Sequence, residues 1–211
     1  MIDLYTWTTP NGRKVSIMLE ELELPYRVIP IDLGKEAQHT PGFRAITPNE
    51  KIPAIVDQDV PGGPLRLFES GAILFHLAER SGRFFGGDVR QRATTMQWLM
   101  YQMSHLGPIL GQTGHFINTA PEKIPYAIQR FVGESVRIVG VLETALADRE
   151  YLAGPYSIAD IATYPWVVAA WEPFARMLPD QVGAMINVRR WLDRVGSRPA
   201  VQRGMLVPAG D

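Results

Sequence analysis

Cysteine is absent from all 211 residues. That absence removes structural disulfides, thiolate metal sites and any protein-borne thiol nucleophile. If the protein performs thiol chemistry, the sulfur must arrive on a ligand, and no mixed disulfide with this chain can form. An excess of charge of one sign is missing as well. Twenty-one basic and 22 acidic residues leave a formal charge of −1, so neither nucleic acid nor an anionic membrane surface is expected as a partner. Long apolar runs are missing too: none approaches the roughly 20 residues that a membrane span needs. Asp3, Glu20, Glu21 and Glu23 interrupt the first apolar positions. The expectation is a cytoplasmic protein with neither a span nor a secretory signal. The four histidines, His39, His76, His105 and His115, share no metal-ligand spacing, so no metal is expected.

What is present is a composition able to bury a core, 46% hydrophobic and 20% charged. Up to about residue 80, short β-like runs alternate with helical ones. Ile2–Tyr5 suggests a strand, followed by a helix with Val15, Met18, Leu19 and Leu22 on one stripe, which Pro25 stops. Tyr26–Leu33 suggests a second strand, at an edge or bent because of Pro30. Ala54–Val56 and Leu65–Phe68 suggest a hairpin across Pro61–Pro64, and Ser70 a cap for a helix carrying Ile73, Leu74 and Leu77. The pattern predicts an α/β domain over 1–80, a glycine-rich linker over 81–88 and an all-helical domain over 89–211.

In that second half Met96, Leu99, Met100 and Met103 mark a helix expected to break near Gly107-Pro108, and Pro125 opens another. Ser157-Ile158-Ala159-Asp160 has the form of a capping box before a helix apolar nearly all round, hence central. Asn187 is placed as the cap of a last helix with Val188, Trp191, Leu192 and Val195, and 197–201 as a turn.

Three segments of the first half can carry chemistry. Thr8-Thr9-Pro10-Asn11-Gly12 lies between strand and helix, where amides and hydroxyls favour an anion; the same residues also suit a plain helix cap. Asn49-Glu50-Lys51-Ile52-Pro53-Ala54 puts a proline directly before a strand, where a cis bond exposes the preceding backbone to an extended ligand. Phe68-Glu69-Ser70-Gly71-Ala72 combines a carboxylate for an ammonium with a hydroxyl and helix-start amides for a carboxylate; an ordinary cap is the alternative.

Together, in this order, these segments resemble the glutathione transferase superfamily over essentially the whole chain. The nearest branch is the bacterial Nu class, the glutathione-dependent disulfide-bond oxidoreductases. Thr9–Gly12, Asp32–Lys35 with Gln38, Pro48–Asp57 and Leu67–Leu74 carry the likeness, and Leu106–Pro108 and Ile124–Arg130 extend it. The resemblance implies a thioredoxin-like βαβ-ββα domain followed by a helical bundle, a homodimer, and glutathione as cosubstrate, one or two molecules or the disulfide per site. It assigns the γ-glutamyl end to Glu69 and Ser70, the cysteinyl backbone to Ile52 before Pro53, with Lys51 beside it, the sulfur to Thr9 and Asn11, and further peptide contacts to Gln38 and Arg130. Many relatives use a tyrosine near the end of the first strand. Here Trp7 stands in that neighbourhood, and Thr9 and Asn11 are preferred to Thr8 and Tyr5.

Magnitudes allow this without cysteine. Holding a thiolate about 2 units below its usual 8.5 takes ~2.7 kcal/mol, and one hydrogen bond to a charged group supplies ~1.5–3 kcal/mol. The expected activity is thiol–disulfide exchange with glutathione as nucleophile and a small-molecule disulfide as substrate. The alternatives are conjugation of glutathione to small electrophiles and a non-catalytic scaffold.

Overall fold

The structure is a computed structural model and describes residues 1–209. The chain divides into two compact units, Met1–Phe85 together with the stretch from Gly196 onward, and Gly86–Val195.

In the first unit, β1 (Ile2–Thr6), α1 (Pro10–Leu22) and β2 (Tyr26–Pro30) form a parallel crossover. Two 3-10 turns and the short α2 (Pro41–Arg44) lead to the antiparallel pair β3 (Ala54–Asp57) and β4 (Leu65–Phe68), then to α3 (Ser70–Ser81). The sheet order is β2-β1-β3-β4. β1 is paired on both sides, and β3 is buried along its whole length, so both faces of the sheet centre are covered. Leu4, Val15, Met18, Leu19, Ile55, Ile73 and Leu74 are sealed from solvent. A second cluster, Ile31, Phe43 and Ala54, packs with Tyr5, Ile29 and Ile52. The expected stripe of α1 is thus its buried face, and β2 stops at Pro30, shorter than predicted, on an edge where a missing donor costs nothing.

The second unit is helical: α4 (Val89–Tyr101), α5 (Gly107–Gly114), α6 (Pro125–Ala145), α7 (Ile158–Met177), α8 (Pro179–Gly183) and α9 (Ile186–Gly196). The break expected at Gly107-Pro108 is absent. A wider π turn, Gln102–Leu106, carries α4 into α5, and Pro108 falls in the first turn of α5, where a missing N–H is tolerated. The capping box of Ser157 and Asp160 is formed. Asp160 is fully buried and accepts from Leu152 N (3.0 Å), Ser157 N (3.1 Å) and Trp191 Nε1 (2.9 Å), tying α7 to the preceding loop and to α9. Asn187 does not cap α9 itself. Glu143 of α6 does so, accepting from the backbone N–H groups of Asn187 (3.0 Å) and Val188 (2.9 Å).

Residues 197–201, expected as a turn, open α10 (Pro199–Met205), because Pro199 occupies a first-turn position. α10 belongs to the first unit, not to the helical one, and lies directly on α1. A Cβ on Gly204 would fall 2.5 Å from Ile17 Cα, so only glycine permits this approach. Ser16 Oγ donates to the Gly204 carbonyl (2.6 Å), and Arg198 forms a two-pronged bridge to the buried Glu21 (2.6 and 2.8 Å). Among the described residues no helix is long and apolar enough to cross a membrane.

Burial pushes the Asp160 carboxyl up to about 6, against the bonds it accepts. A raised folded value favours the neutral acid, so the associated stability is fully present below the ordinary 3.8 and lost as pH rises through 6. Between pH 7 and pH 5 the wild type is expected to gain about 1 kcal/mol relative to Asp160→Asn, read from urea unfolding at each pH. Asp160→Ala, which leaves several buried donors without an acceptor, is expected to cost about 3 kcal/mol at pH 7.

Candidate active site

Three chain segments meet at a cavity of about 220 Å³ at one end of the sheet of the first unit. It is lined by Asn11 from the start of α1, by Thr47, Asn49, Lys51, Ile52 and Pro53 before β3, and by Phe68, Glu69 and Ser70 between β4 and α3.

The first segment turns within a few residues. Thr9 N donates to Trp7 O (2.7 Å), and Thr9 is the N-cap of α1, its Oγ1 accepting from Gly12 N (3.1 Å). A Cβ on Gly12 would lie 2.4 Å from the Trp7 carbonyl oxygen, so glycine is what lets the loop fold back so closely. The result holds Asn11 at the cavity wall while Thr9 sits one turn-start behind it. Thr9 itself does not line the cavity. Its hydroxyl accepts within the loop and keeps one proton with which to donate. Tyr5 is a paired residue of β1 packed on Phe43, away from this role.

The Ile52-Pro53 bond is cis, and both residues line the cavity beside the exposed Lys51. Gln38 stands outside the lining, but a short relay ties it to the same loop. Gln38 Nε2 donates to His39 Nε2 (3.1 Å), and His39 Nδ1 donates to Glu50 (2.9 Å), which Arg44 also bridges. Hydrogen bonds from His39 and Arg44 hold the Glu50 carboxyl below its usual value. Arg130 is an exposed residue of α6 in the second unit and is not among the residues lining this cavity.

The third segment is the most strained. Glu69, not Ser70, occupies the N-cap position of α3, with φ 70° and ψ 111°, a backbone region that costs a non-glycine residue about 1–3 kcal/mol. Its side chain makes no capping bond to the helix, which leaves the carboxylate exposed at the cavity rim. Ser70 is the first helical residue and is buried, and Ile73 N closes the first turn on Glu69 O (3.0 Å). The amides of Ser70, Gly71 and Ala72 precede any intrahelical acceptor and point toward the N-terminal end of α3. Beneath Ser70 lies Lys14, 1% exposed, its Nζ donating to Ser70 Oγ (3.3 Å).

The arrangement therefore sets a carboxylate beside a set of donors, which suits a ligand end carrying both an ammonium and a carboxylate. An extended backbone fits next to it, at the cis proline. Asn11, Lys51, Ile52, Pro53, Glu69 and Ser70 of the expected residues are brought together. Asn49 and Phe68 stand in segments singled out in the sequence but were given no role of their own, and Thr47 and Lys14 were not foreseen. Thr47 carried no signal of its own, whereas Lys14, four residues before Met18, put a charge beside the apolar stripe of α1.

Residues 1–79 match the family described as Glutathione S-transferase, N-terminal domain, and residues 125–194 match Glutathione S-transferase, C-terminal domain. The chain is 50% identical over 209 residues to the disulfide-bond oxidoreductase YfcG of Escherichia coli, covering 98% of this chain and 95% of that one. Among solved structures it is similar to a glutathione transferase from Pseudomonas putida with one glutathione disulfide bound per subunit (46% identity, TM-score 0.92, covering 98% and 91% of the two chains). It is similar also to one from Burkholderia graminis with two glutathione molecules bound per subunit (42% identity, TM-score 0.94, covering 100% and 89%).

Because its hydroxyl caps α1, Thr9→Ala is expected to lower unfolding free energy by about 1 kcal/mol, while Thr9→Ser stays near the wild type. Denaturant titration of the two variants checks this.

Proposed function

The chain belongs to the glutathione S-transferase family, and from that premise we propose that it is a glutathione-dependent thiol–disulfide oxidoreductase. The observation that carries the reading is a cis-proline cavity with Asn11, Glu69 and Ser70 on its walls in a chain that has no cysteine. Here glutathione is the nucleophile and the protein positions it.

In this reading the γ-glutamyl ammonium pairs with the Glu69 carboxylate. The neighbouring α-carboxylate takes hydrogen bonds from Ser70 Oγ and the first-turn amides of α3. The cysteinyl backbone lies along Ile52 ahead of Pro53, with Lys51 at the rim, and Gln38 reaches the peptide from its relay to His39. The sulfur comes to Asn11 and Thr9. A donor from Asn11, or the remaining proton of the Thr9 hydroxyl, stabilises the thiolate at the positive end of α1.

The reaction balances with two glutathiones. The first thiolate attacks one sulfur of the substrate disulfide; a new S–S bond forms as the old one breaks, and the departing substrate thiolate takes up a proton. A second glutathione thiolate attacks the glutathione sulfur of this mixed disulfide and releases the second substrate thiol. The products are glutathione disulfide and two substrate thiols, and both electrons come from glutathione. The reading places the enzyme in the reducing cytoplasm, as a homodimer. Val89 and Met100, exposed eleven residues apart on one face of α4, support the second point.

Turnover of a model disulfide is expected to exceed conjugation of a chloronitrobenzene. Conjugation much the faster of the two would replace this reading with that of a conjugating transferase, and failure to bind glutathione would leave a scaffold. Asn11→Ala is expected to lose about 10- to 150-fold in disulfide turnover, the equivalent of one hydrogen bond to a charged group, with an unchanged thermal midpoint. Glu69→Gly relieves the backbone and removes the carboxylate together. It is expected to weaken glutathione binding without lowering the thermal midpoint, as calorimetry of both quantities can check.

A further inference from the structure

Lys14 is the most deeply buried cation of the first unit, and none of the roles above uses it. It projects from α1 into the interior, 1% exposed, at a position where an amphipathic helix ordinarily places an apolar side chain. A buried ammonium is expensive unless something nearby repays its desolvation. Among the groups that act on it, two border the cavity. Its Nζ donates to Ser70 Oγ at 3.3 Å, and the Glu69 carboxylate acts on it through space. Burial nonetheless drives the Lys14 amine well below the ordinary lysine value, and the Glu69 carboxylate only partly offsets that fall. A further anion at the start of α3 supplies the charge partner that favours the ammonium form of Lys14 over the neutral amine.

The hydrogen-bond sense matters. An ammonium can only donate, so Ser70 Oγ is the acceptor toward Lys14, and its own proton is turned away from the lysine. With the ammonium so held, Ser70 meets the incoming oxygen as a donor, and Lys14 Nζ lies 3.3 Å behind its hydroxyl oxygen. Without Lys14 the hydroxyl loses the donor that fixes its direction.

We propose that Lys14 is a positioning residue of this cavity: acting through Ser70, its buried ammonium makes the α3 end select a carboxylate, that of the γ-glutamyl unit of glutathione. The inference rests on the reading of the site given above. It adds that selection between a charged and a neutral group at that carbon is made by a residue the ligand does not touch.

The test compares two ligands on three proteins by calorimetry: glutathione, and its analogue with the γ-glutamyl α-carboxylate replaced by a carboxamide. The wild type is expected to prefer glutathione by about tenfold or more. In Lys14→Met, which keeps the length of the side chain but not its charge, that preference is expected to collapse to within about twofold. Lys14→Gln keeps a donor without the charge and is expected to behave the same way; it decides the matter if Lys14→Met does not fold. A merely structural lysine would weaken both ligands equally and leave the preference intact, and that result in either folded variant overturns the proposal. A wild type that binds glutathione but does not distinguish it from the amide also overturns it. A wild type that binds neither ligand removes the reading of the site itself.

Discussion

Helix α1 is held so closely on two sides that side chains have been excluded from the contacts. At its start Gly12 lies against the Trp7 carbonyl, where a methyl group would overlap an oxygen, and farther along Gly204 of α10 lies on the backbone of Ile17. Packing at this range leaves almost no freedom of tilt or translation. The consequences radiate from the helix. Its N-terminal loop sets Asn11 at the cavity, and the buried face that follows places Lys14 under Ser70. Its outer flank anchors the returning end of the chain through Ser16 and Glu21. An error of an ångström in α1 would be felt at every one of these places at once.

The cavity is a division of labour between rigid and strained backbone. The walls at Asn11 and at Ile52-Pro53 are fixed by a glycine turn and by the ring of Pro53. The rim at Glu69 is held in a conformation that its own residue type disfavours, and the adjoining strand and helix keep it there. Strain of this kind directs a carboxylate outward that would otherwise fold back as a helix cap. That leaves the helix amides available for a partner of opposite polarity.

Much of this organisation was legible in the sequence. The stripe of Val15, Met18, Leu19 and Leu22, the proline before β3 and the Ser157–Asp160 box each follow from local rules, and each is where those rules place it. What was illegible depends on partners distant in the chain. Asn187 had the right chemistry for a cap, but Glu143, 44 residues earlier, supplies the acceptor instead. Ser70 looked like a cap for the same reason, and no local rule announces that Glu69 adopts a positive φ beside it. The segment 197–201 looked like a turn because its helix is stabilised by α1, from the other end of the sequence. Lys14 was not singled out, since it stands outside the stripe of Val15, Met18, Leu19 and Leu22. Its meaning required knowing that Ser70, 56 residues away, lies within reach.

The return of α10 to the first unit also bears on how the chain is made. Synthesis runs from the N-terminus, so β1 through α3 leave the ribosome long before the helix that covers the flank of α1. Until Gly204 emerges, the backbone of Ile17 and the carboxylate of Glu21 have no covering. The helical stretch from 86 to 195 is by then fully synthesised, with its Asp160 network complete within itself. The middle of the chain can therefore finish folding before its beginning, and Arg198 with α10 acts as the latch that closes the first-made unit.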